Sequence, residues 1–422
     1  MLRIFKNTNF SLFLGSRTIA NIADSVYFMA ILWMIQTSTN SVAYTGMAYS
    51  VMSAALLFSF SFGPLIDRYS PAMLASVSLL VQAFIILSIP FIGMESGGGV
   101  LILGLLFVAS LFSALYYPAT HTILPSISRN RDELFSGNSI IGSTDEVINL
   151  AGFLAGGSII LFIGVNQTLI LSSSLLLLAC LLYVVLMRRL NLSSSSPVEQ
   201  FEAEDEDQRP PANIKVYLAD LKEGFQFIKD NSFLRATLPL SAISNLGLAI
   251  VIIVVPSIGE SFGSALHFSL LYGACFFGMI LGALVSNVLK KNGVTMINFW
   301  IGEGIALMLF ALMPGVFWWK LTTVVLFGIC SGANTVLLTT FVQLMTRQQL
   351  LGRVMSAVST LASISLPLGG LLGGLMAVWL DVSWIVFISA ALILTSGLML
   401  LLYKEIRKFS ADDFNATKEL TA

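Results

Sequence analysis

The sequence predicts an all-α membrane protein of twelve transmembrane helices, arranged as two pseudo-symmetric bundles of six. Three observations predict it. Of 422 residues, 56% are hydrophobic and only 11% charged, whereas a water-soluble domain carries about 25% charged residues. The apolar residues gather into twelve runs, at 9–35, 42–66, 71–93, 100–126, 136–163, 167–187, 236–258, 267–289, 294–313, 320–345, 354–379 and 382–403. Each is close to the ~20 residues that cross a bilayer as a helix. Finally, positive charge is lopsided. With both termini on one side, that side collects Arg3, Lys6, Arg68, Arg129, Arg131, Arg188, Arg189, Lys290, Lys291, Arg347, Arg353, Lys404, Arg407 and Lys408, and the opposite loops hold only Lys320. Positive charge marks the cytoplasmic face, so a multi-pass protein of the cell membrane with both termini cytoplasmic is expected. Unpaired backbone groups cannot face lipid, so the spans are helices rather than open strands.

Taken in order, spans 1–6 form an N-terminal bundle at 1–190. A cytoplasmic linker follows at 191–233, spans 7–12 make a C-terminal bundle at 234–408, and 409–422 is a cytoplasmic tail. The start is weakly basic, but the run that follows is too long for a signal-peptide core, and no cleavage is expected. The linker opens on Ser193 to Ser196, passes through an acidic run from Glu202 to Asp207 and reaches Pro210 and Pro211, a composition that favours a solvated segment. Beyond it Val216, Leu218, Leu221, Phe225 and Ile228 recur at helical spacing beside Lys215, Lys222 and Lys229, predicting an amphipathic helix along the cytoplasmic face. Cys180, Cys275 and Cys330 lie far apart inside apolar spans, which reads as small apolar residues rather than a disulfide framework or a metal site.

The two halves repeat one another. Span 5 contains Gly152, Gly156 and Gly157, span 11 contains Gly369, Gly373 and Gly374, and Ser139 and Ser356 share the same offset of 217. A glycine every fourth residue lets helices approach closely. Matching features in six-plus-six spans imply a duplicated transporter with a site between its halves.

At the end of span 2 the chain reads Gly63-Pro-Leu65-Ile-Asp67-Arg68, which resembles the first part of the loop motif of the major facilitator superfamily. Ser70, Pro71 and Ala72 stand where that motif continues with Gly, Arg and Lys. Within the superfamily the chain is similar to the drug and macrolide efflux branch that includes enterobactin exporters. That similarity is carried by Ala23-Asp24-Ser25 with Trp33, by Leu221-Lys-Glu-Gly224-Phe-Gln-Phe, and by Leu351-Gly-Arg353-Val-Met-Ser356 leading to Pro367-Leu-Gly369. The resemblance implies a secondary active transporter that exports a drug- or macrolide-like amphipathic molecule by proton antiport and alternating access. Two departures bear on the coupling: Phe153 stands where antiporters commonly have proline, and Ala109 where many have arginine.

Charges in a bilayer are costly, about 2.5–3.5 kcal/mol each on insertion scales, and are usually functional. Arg17, Asn21, Asp24 and Phe28 share one face of span 1. Counted at ~1.5 Å per residue, Arg17 lies about 12 Å and Asp145 about 14 Å from the cytoplasmic ends of their spans, so Arg17 can pair with Asp145 or Glu146. Three carboxylates against one guanidinium leave a surplus acid, and arginine keeps its proton. Asp24, Arg17, Asp145 and Glu146 are therefore the expected proton-coupling network, with a fixed buried salt bridge as the structural alternative. Glu303 in span 9 is a weaker candidate, for which packing or a lipid-facing role is expected.

Candidates to line a substrate cavity are Asn21, Tyr27, Phe28, Tyr49, Tyr116, Asn149, Asn245 and Asn334; Trp33 and Tyr117 are further aromatic candidates. Gly63, Asp67, Arg68 and Arg131 form an expected cytoplasmic gate, with Arg131 a partner for Asp67. His121 reads as a hydrogen-bonded structural histidine. No G-x-x-x-x-G-K-[ST] loop is present, so ATP is not the direct energy source, and no cofactor or metal is implied. No H-E-x-x-H or G-x-S-x-G motif suggests an enzyme, and no basic domain suggests nucleic-acid binding. Expected partners are an amphipathic small molecule, protons and membrane lipid, with the protein acting as a monomer. A lysophospholipid translocator, a siderophore exporter and a non-transporting receptor or scaffold are the competing readings.

Overall fold

A computed structural model describes residues 7–92, 98–128, 131–193, 214–313, 315–347 and 350–410. Twelve helices in it are long and apolar enough to cross a membrane. They run Thr8–Thr39, Val42–Ser59, Pro71–Phe91, Gly98–Ile127, Ser136–Ile163 and Val165–Leu190 in the first half. In the second half they run Ser232–Ser261, Ala265–Ser286, Gly293–Leu312, Phe317–Met345, Arg353–Met376 and Val382–Leu400. Large apolar side chains stay exposed along them, Phe84, Phe162, Leu181 and Val288 among them, as lipid-facing surfaces require. Trp318, Trp319, Trp379 and Trp384 are exposed at adjacent span ends, where indole rings suit the membrane interface.

Span 2 departs from the sequence expectation. Its α-helix covers Val42–Ala54, a 3₁₀ stretch covers Ala55–Phe62, and α-helix resumes over Gly63–Arg68 with Pro64 in its first turn. Proline lacks the N–H that a continuing α-helix would need, and 3₁₀ segments of this length are uncommon and mark hinges. Between spans 7 and 8 the chain turns through Gly263 at a φ of +91°, a left-handed geometry natural to glycine after a helix end.

The chain divides into two units, Met1–Ile31 with Ala55–Leu218, and Leu32–Ala54 with Ala219–Ala422. Within the second unit, the hairpin joining spans 1 and 2 packs on spans 7 and 11. A Cβ built on Gly46 would lie 2.6 Å from the Gly370 carbonyl oxygen and 2.8 Å from Gly374 Cα.

The duplication appears in the packing. In the first unit, Gly152 and Gly156 of span 5 lie against Ser25 and Met29 of span 1. In the second, Gly369 and Gly373 of span 11 lie against Ala249 and Ile250 of span 7. The same register of glycines thus draws the fifth helix of each half onto the first.

The expected amphipathic helix spans Ile214–Asp230; the polar stretch before it and the tail from 411 lie outside the described residues. Gly224 abuts the Arg353 backbone carbonyl, and Glu223 forms an ion pair with the Arg353 guanidinium. The two distant motifs around Gly224 and Arg353 are therefore one packing contact. Gly224→Val is expected to cost about 1–3 kcal/mol, because backbone cannot move aside for the added carbons. Glu223→Gln, at an exposed pair, is expected to change stability by less than about 1 kcal/mol. Thermal unfolding of the two variants in detergent checks the contrast.

Candidate functional site

In the first unit, spans 1, 4 and 5 bring their polar residues into one network. Arg17 is only 3% exposed. Its Nη2 lies 2.8 Å from Asp145 Oδ2, and its Nε donates to Oδ1 at 3.3 Å and to Oδ2 at 3.2 Å. A guanidinium engaging both carboxylate oxygens is the strong form of the pair. Arg17 Nη1 donates to Thr120 Oγ1 at 2.7 Å, and that hydroxyl donates to the Tyr117 carbonyl at 2.8 Å. Asn21, one helical turn beyond Arg17, donates from Nδ2 to Asp145 Oδ1 at 2.6 Å. Asp145 is thus held by a cation and an amide from span 1, while Glu146, its neighbour in sequence, is exposed. Successive helix positions point about 100° apart, so only one of the two acids can meet the Arg17 face.

Asp24 stands apart from that pair. Its Oδ2 accepts a hydrogen bond from the Tyr117 hydroxyl at 3.3 Å, and among the described residues no cation pairs with it. Tyr117 joins the two acids: its ring lies under the Arg17 guanidinium, 6.0 Å to the centroid, and its hydroxyl reaches Asp24. Behind it Tyr116 is fully buried, its hydroxyl 3.1 Å from that of Tyr183 on span 6. Two buried polar atoms beside the network have no hydrogen-bond partner among the described residues, Asn21 Oδ1 and the Tyr27 hydroxyl.

Tyr117→Phe keeps the ring and removes the donor to Asp24. It is expected to cost about 1 kcal/mol of stability and to lower transport several-fold more than that loss of folded protein explains. Thermal unfolding and vesicle transport measured on the same preparation check this.

The remaining candidates are placed as follows. Phe28 meets Phe153 edge-on at 6.0 Å between centroids, and Asn149 is partly accessible on span 5; both belong to the first unit with Tyr27 and Tyr116. Tyr49, Asn245 and Asn334 belong to the second unit, where Tyr49 and Asn334 are buried and Asn245 is partly accessible. Trp33 stacks on Phe268, 5.8 Å between centroids. Glu303 is buried at 5% exposure among spans 8, 9 and 10, which corrects the lipid-facing alternative: spans 10 and 12 cover its helix. Gly63 begins the short helix Gly63–Arg68, in which Arg68 is exposed; the Asp67 and Arg131 side chains of the expected gate lie outside the described residues. His121 is exposed, and among the described residues nothing hydrogen-bonds it, so it is not the bonded structural histidine expected.

Sequence reasoning missed Thr120 as the second partner of Arg17. It also missed Gln36, whose Nε2 donates to Glu260 Oε2 at 2.8 Å while its Oε1 accepts from Thr45 at 3.2 Å. The polarity of Gln36 at the end of an apolar span was the available signal.

Comparison with known proteins gives a consistent picture. The family description Major Facilitator Superfamily matches residues 13–289 and 237–421. The chain is similar to the enterobactin exporter EntS of Shigella flexneri, at 29% identity over 207 residues, 47% of this chain and 48% of that protein. The match thus spans about half the length of that relative. It is also similar to the uncharacterized MFS-type transporter YvqJ of Bacillus subtilis, at 22% identity over 97% of this chain and 96% of that one. Among solved structures, the nucleoside transporter NupG superposes with a TM-score of 0.69 at 12% identity, covering 95% of this chain and 100% of that one. A bacterial homologue of the iron transporter ferroportin, in an inward-facing state, gives 0.69 at 14% identity, covering 95% and 98%. At these identities the structures speak for the fold alone.

Proposed function

We infer that this chain, which belongs to the Major Facilitator Superfamily, is a secondary active exporter of an amphipathic small molecule, driven by proton antiport through alternating access. The family is one of membrane transporters and not of enzymes. The observation that carries the proposal is the division of labour among the acids of the first unit. Asp145 is committed to Arg17 and Asn21, while among the described residues Asp24 is bound only by the Tyr117 hydroxyl. A carboxylate without a cation is free to take up a proton or a positively charged cargo, whereas Asp145 can do so only when its pair with Arg17 opens.

Asn21 Oδ1, an acceptor, and the Tyr27 hydroxyl have no hydrogen-bond partner among the described residues and stand three positions before and after Asp24 on span 1. Together with the carboxylate they form a set rich in hydrogen-bond acceptors, which favours a cargo that donates, through an ammonium or a hydroxyl. The apolar and aromatic surroundings, Phe28 and Phe153 among them, suit the rest of an amphipathic molecule. Proton binding at Asp24 would release such a donor outside, and proton loss to the cytoplasm would restore the acceptor set.

A second reading is favoured by one finding: a relative matched over about half its length is an enterobactin exporter. Purified protein in proteoliposomes, given an imposed pH gradient and either a cationic amphipathic dye, a macrolide or enterobactin, separates the two. Gradient-driven movement of one of these, collapsed by a protonophore and lost in Asp24→Asn, is the expected result. Undiminished gradient-driven transport in Asp24→Asn overturns the role of Asp24, and movement of labelled lipid in place of all three compounds overturns the cargo.

A further inference from the structure

A second buried acid lies in the other unit, outside the network just described. Glu303 of span 9 is 5% exposed, and the side chains of Ser331 and Asn334 of span 10 lie beside its carboxyl. The thiols of Cys275 on span 8 and Cys330 on span 10 are its titratable neighbours. Span 12, packed on the other side of span 9 through Gly304 and Leu394, contains no titratable side chain between Val382 and Leu400. Glycines close the helices around the acid: Gly302 faces Cys330 Sγ, while Gly282 and Gly332 bring spans 8 and 10 into backbone contact.

Asn334 supplies the independent observation. It is 8% exposed, and its Oδ1 has no hydrogen-bond partner among the described residues. An ionised carboxylate only accepts hydrogen bonds, so it can take the amide N–H of Asn334 but gives the amide oxygen nothing. A protonated carboxyl carries an O–H as well, and an acid and an amide side by side are satisfied on both arms only in that form. A proton on Glu303 would thus offer the unpartnered Asn334 oxygen a donor that the ionised carboxylate lacks.

A sodium ion fits less well. Hard cations take six or more oxygen ligands, and here two of the four surrounding side chains are thiols, which suit soft metals. Among the described residues no three His, Cys, Asp or Glu side chains are placed to hold a metal ion.

We propose that Glu303, paired with Asn334, is a second proton-exchange site, located in spans 8–10 and separate from Asp24. Protons would then load in both halves of the duplicated fold, at unrelated positions.

The test uses full-length protein in proteoliposomes and dicyclohexylcarbodiimide, which modifies protonated carboxyls in apolar surroundings. The adduct at Glu303 is quantified by mass spectrometry as the medium is taken from mildly acid to alkaline. The expected result is labelling at Glu303 that falls by about tenfold per pH unit above its titration midpoint, is unaffected by sodium at fixed pH, and changes its pH profile in Asn334→Leu. Labelling that does not vary with pH, or none at any pH, overturns the proposal, and protection by sodium at fixed pH overturns it in favour of a sodium site. This readout needs no transport, so it stands or falls separately from Asp24 and the cargo. A transport arm with Glu303→Gln, the isosteric mimic of the protonated acid, is expected to move fewer protons per cargo molecule; an unchanged ratio also counts against the site.

Discussion

Arg17→Ala is expected to abolish transport and to destabilise the fold by about 3–5 kcal/mol, the cost of leaving one member of a buried ion pair alone. The guanidinium is almost wholly buried and serves Asp145 and Thr120 at once. Its loss therefore strands a carboxylate held otherwise, among the described residues, by Asn21 alone. Asp145→Asn is expected to be comparably harmful, because it leaves a cation that cannot shed its proton. The informative variant removes both charges. Arg17→Met with Asp145→Leu is expected to recover most of the lost stability, since an apolar pair of similar volume often replaces a buried ion pair at little cost. It is not expected to recover transport. Thermal unfolding in detergent and uptake into vesicles measure the two effects side by side. If the double variant transports as the parent does, the pair is a strut between spans 1 and 5 and has no part in coupling. Arg17→Lys sharpens the point, because an ammonium cannot reproduce the planar fork that reaches two acid oxygens and a hydroxyl together.

Much of this arrangement was legible before any coordinates. The twelve spans stand out because charge is so costly in lipid that its absence marks each span, and the helix rise placed Arg17 and Asp145 at matching depth. Depth could not choose between Asp145 and Glu146, since the two are adjacent and only the azimuth of span 5 decides. Thr120 escaped, and Tyr117 was named only as an aromatic cavity candidate, because neutral residues inside an apolar run leave little trace in hydropathy. Their role comes from span 4 lying against span 1, a fact of packing. Span 2 shows the same limit. Its residues from Ala55 to Phe62 are as apolar as a continuous α-helix would be, and the change to 3₁₀ bonding has no compositional mark except Pro64 just beyond it. Glu303 and Asn334 were each visible as polar residues within spans, but 31 positions of sequence separate them. Only the glycine contacts of spans 8, 9 and 10 make them neighbours.

Gly46→Leu is expected to be the most damaging substitution away from charge. Gly46 sits where span 2 crosses span 11, and both helices present glycine there. Beyond the Gly370 oxygen and Gly374 Cα, a Cβ on Gly46 would also meet Ile253 Cδ1 at 3.0 Å, and one on Gly370 would lie 2.5 Å from Ser50 Oγ. The two atoms nearest a Cβ on Gly46 are backbone and cannot rotate away, so the backbones must part. Overpacking of this kind costs about 1–3 kcal/mol and sometimes more. The hydrogen bond from Gln36 to Glu260 and the stack of Trp33 on Phe268 hold the same hairpin, so its loosening should spread to them. Faster amide exchange across residues 42–54, together with a lower unfolding temperature, is the measurable consequence. Gln36→Leu is expected to cost only about 1 kcal/mol, because it removes one bond and leaves the crossing intact. Gly46→Ala combined with Gly370→Ala tests the contact itself, since residues that touch are non-additive by about 0.5–3 kcal/mol where distant ones simply sum. Under the proposed alternating access, such a crossing would undock and redock in every cycle. A contact built from bare backbone would suit that demand, because at the Gly46–Gly370 crossing itself no charged side chain has to be desolvated or exposed.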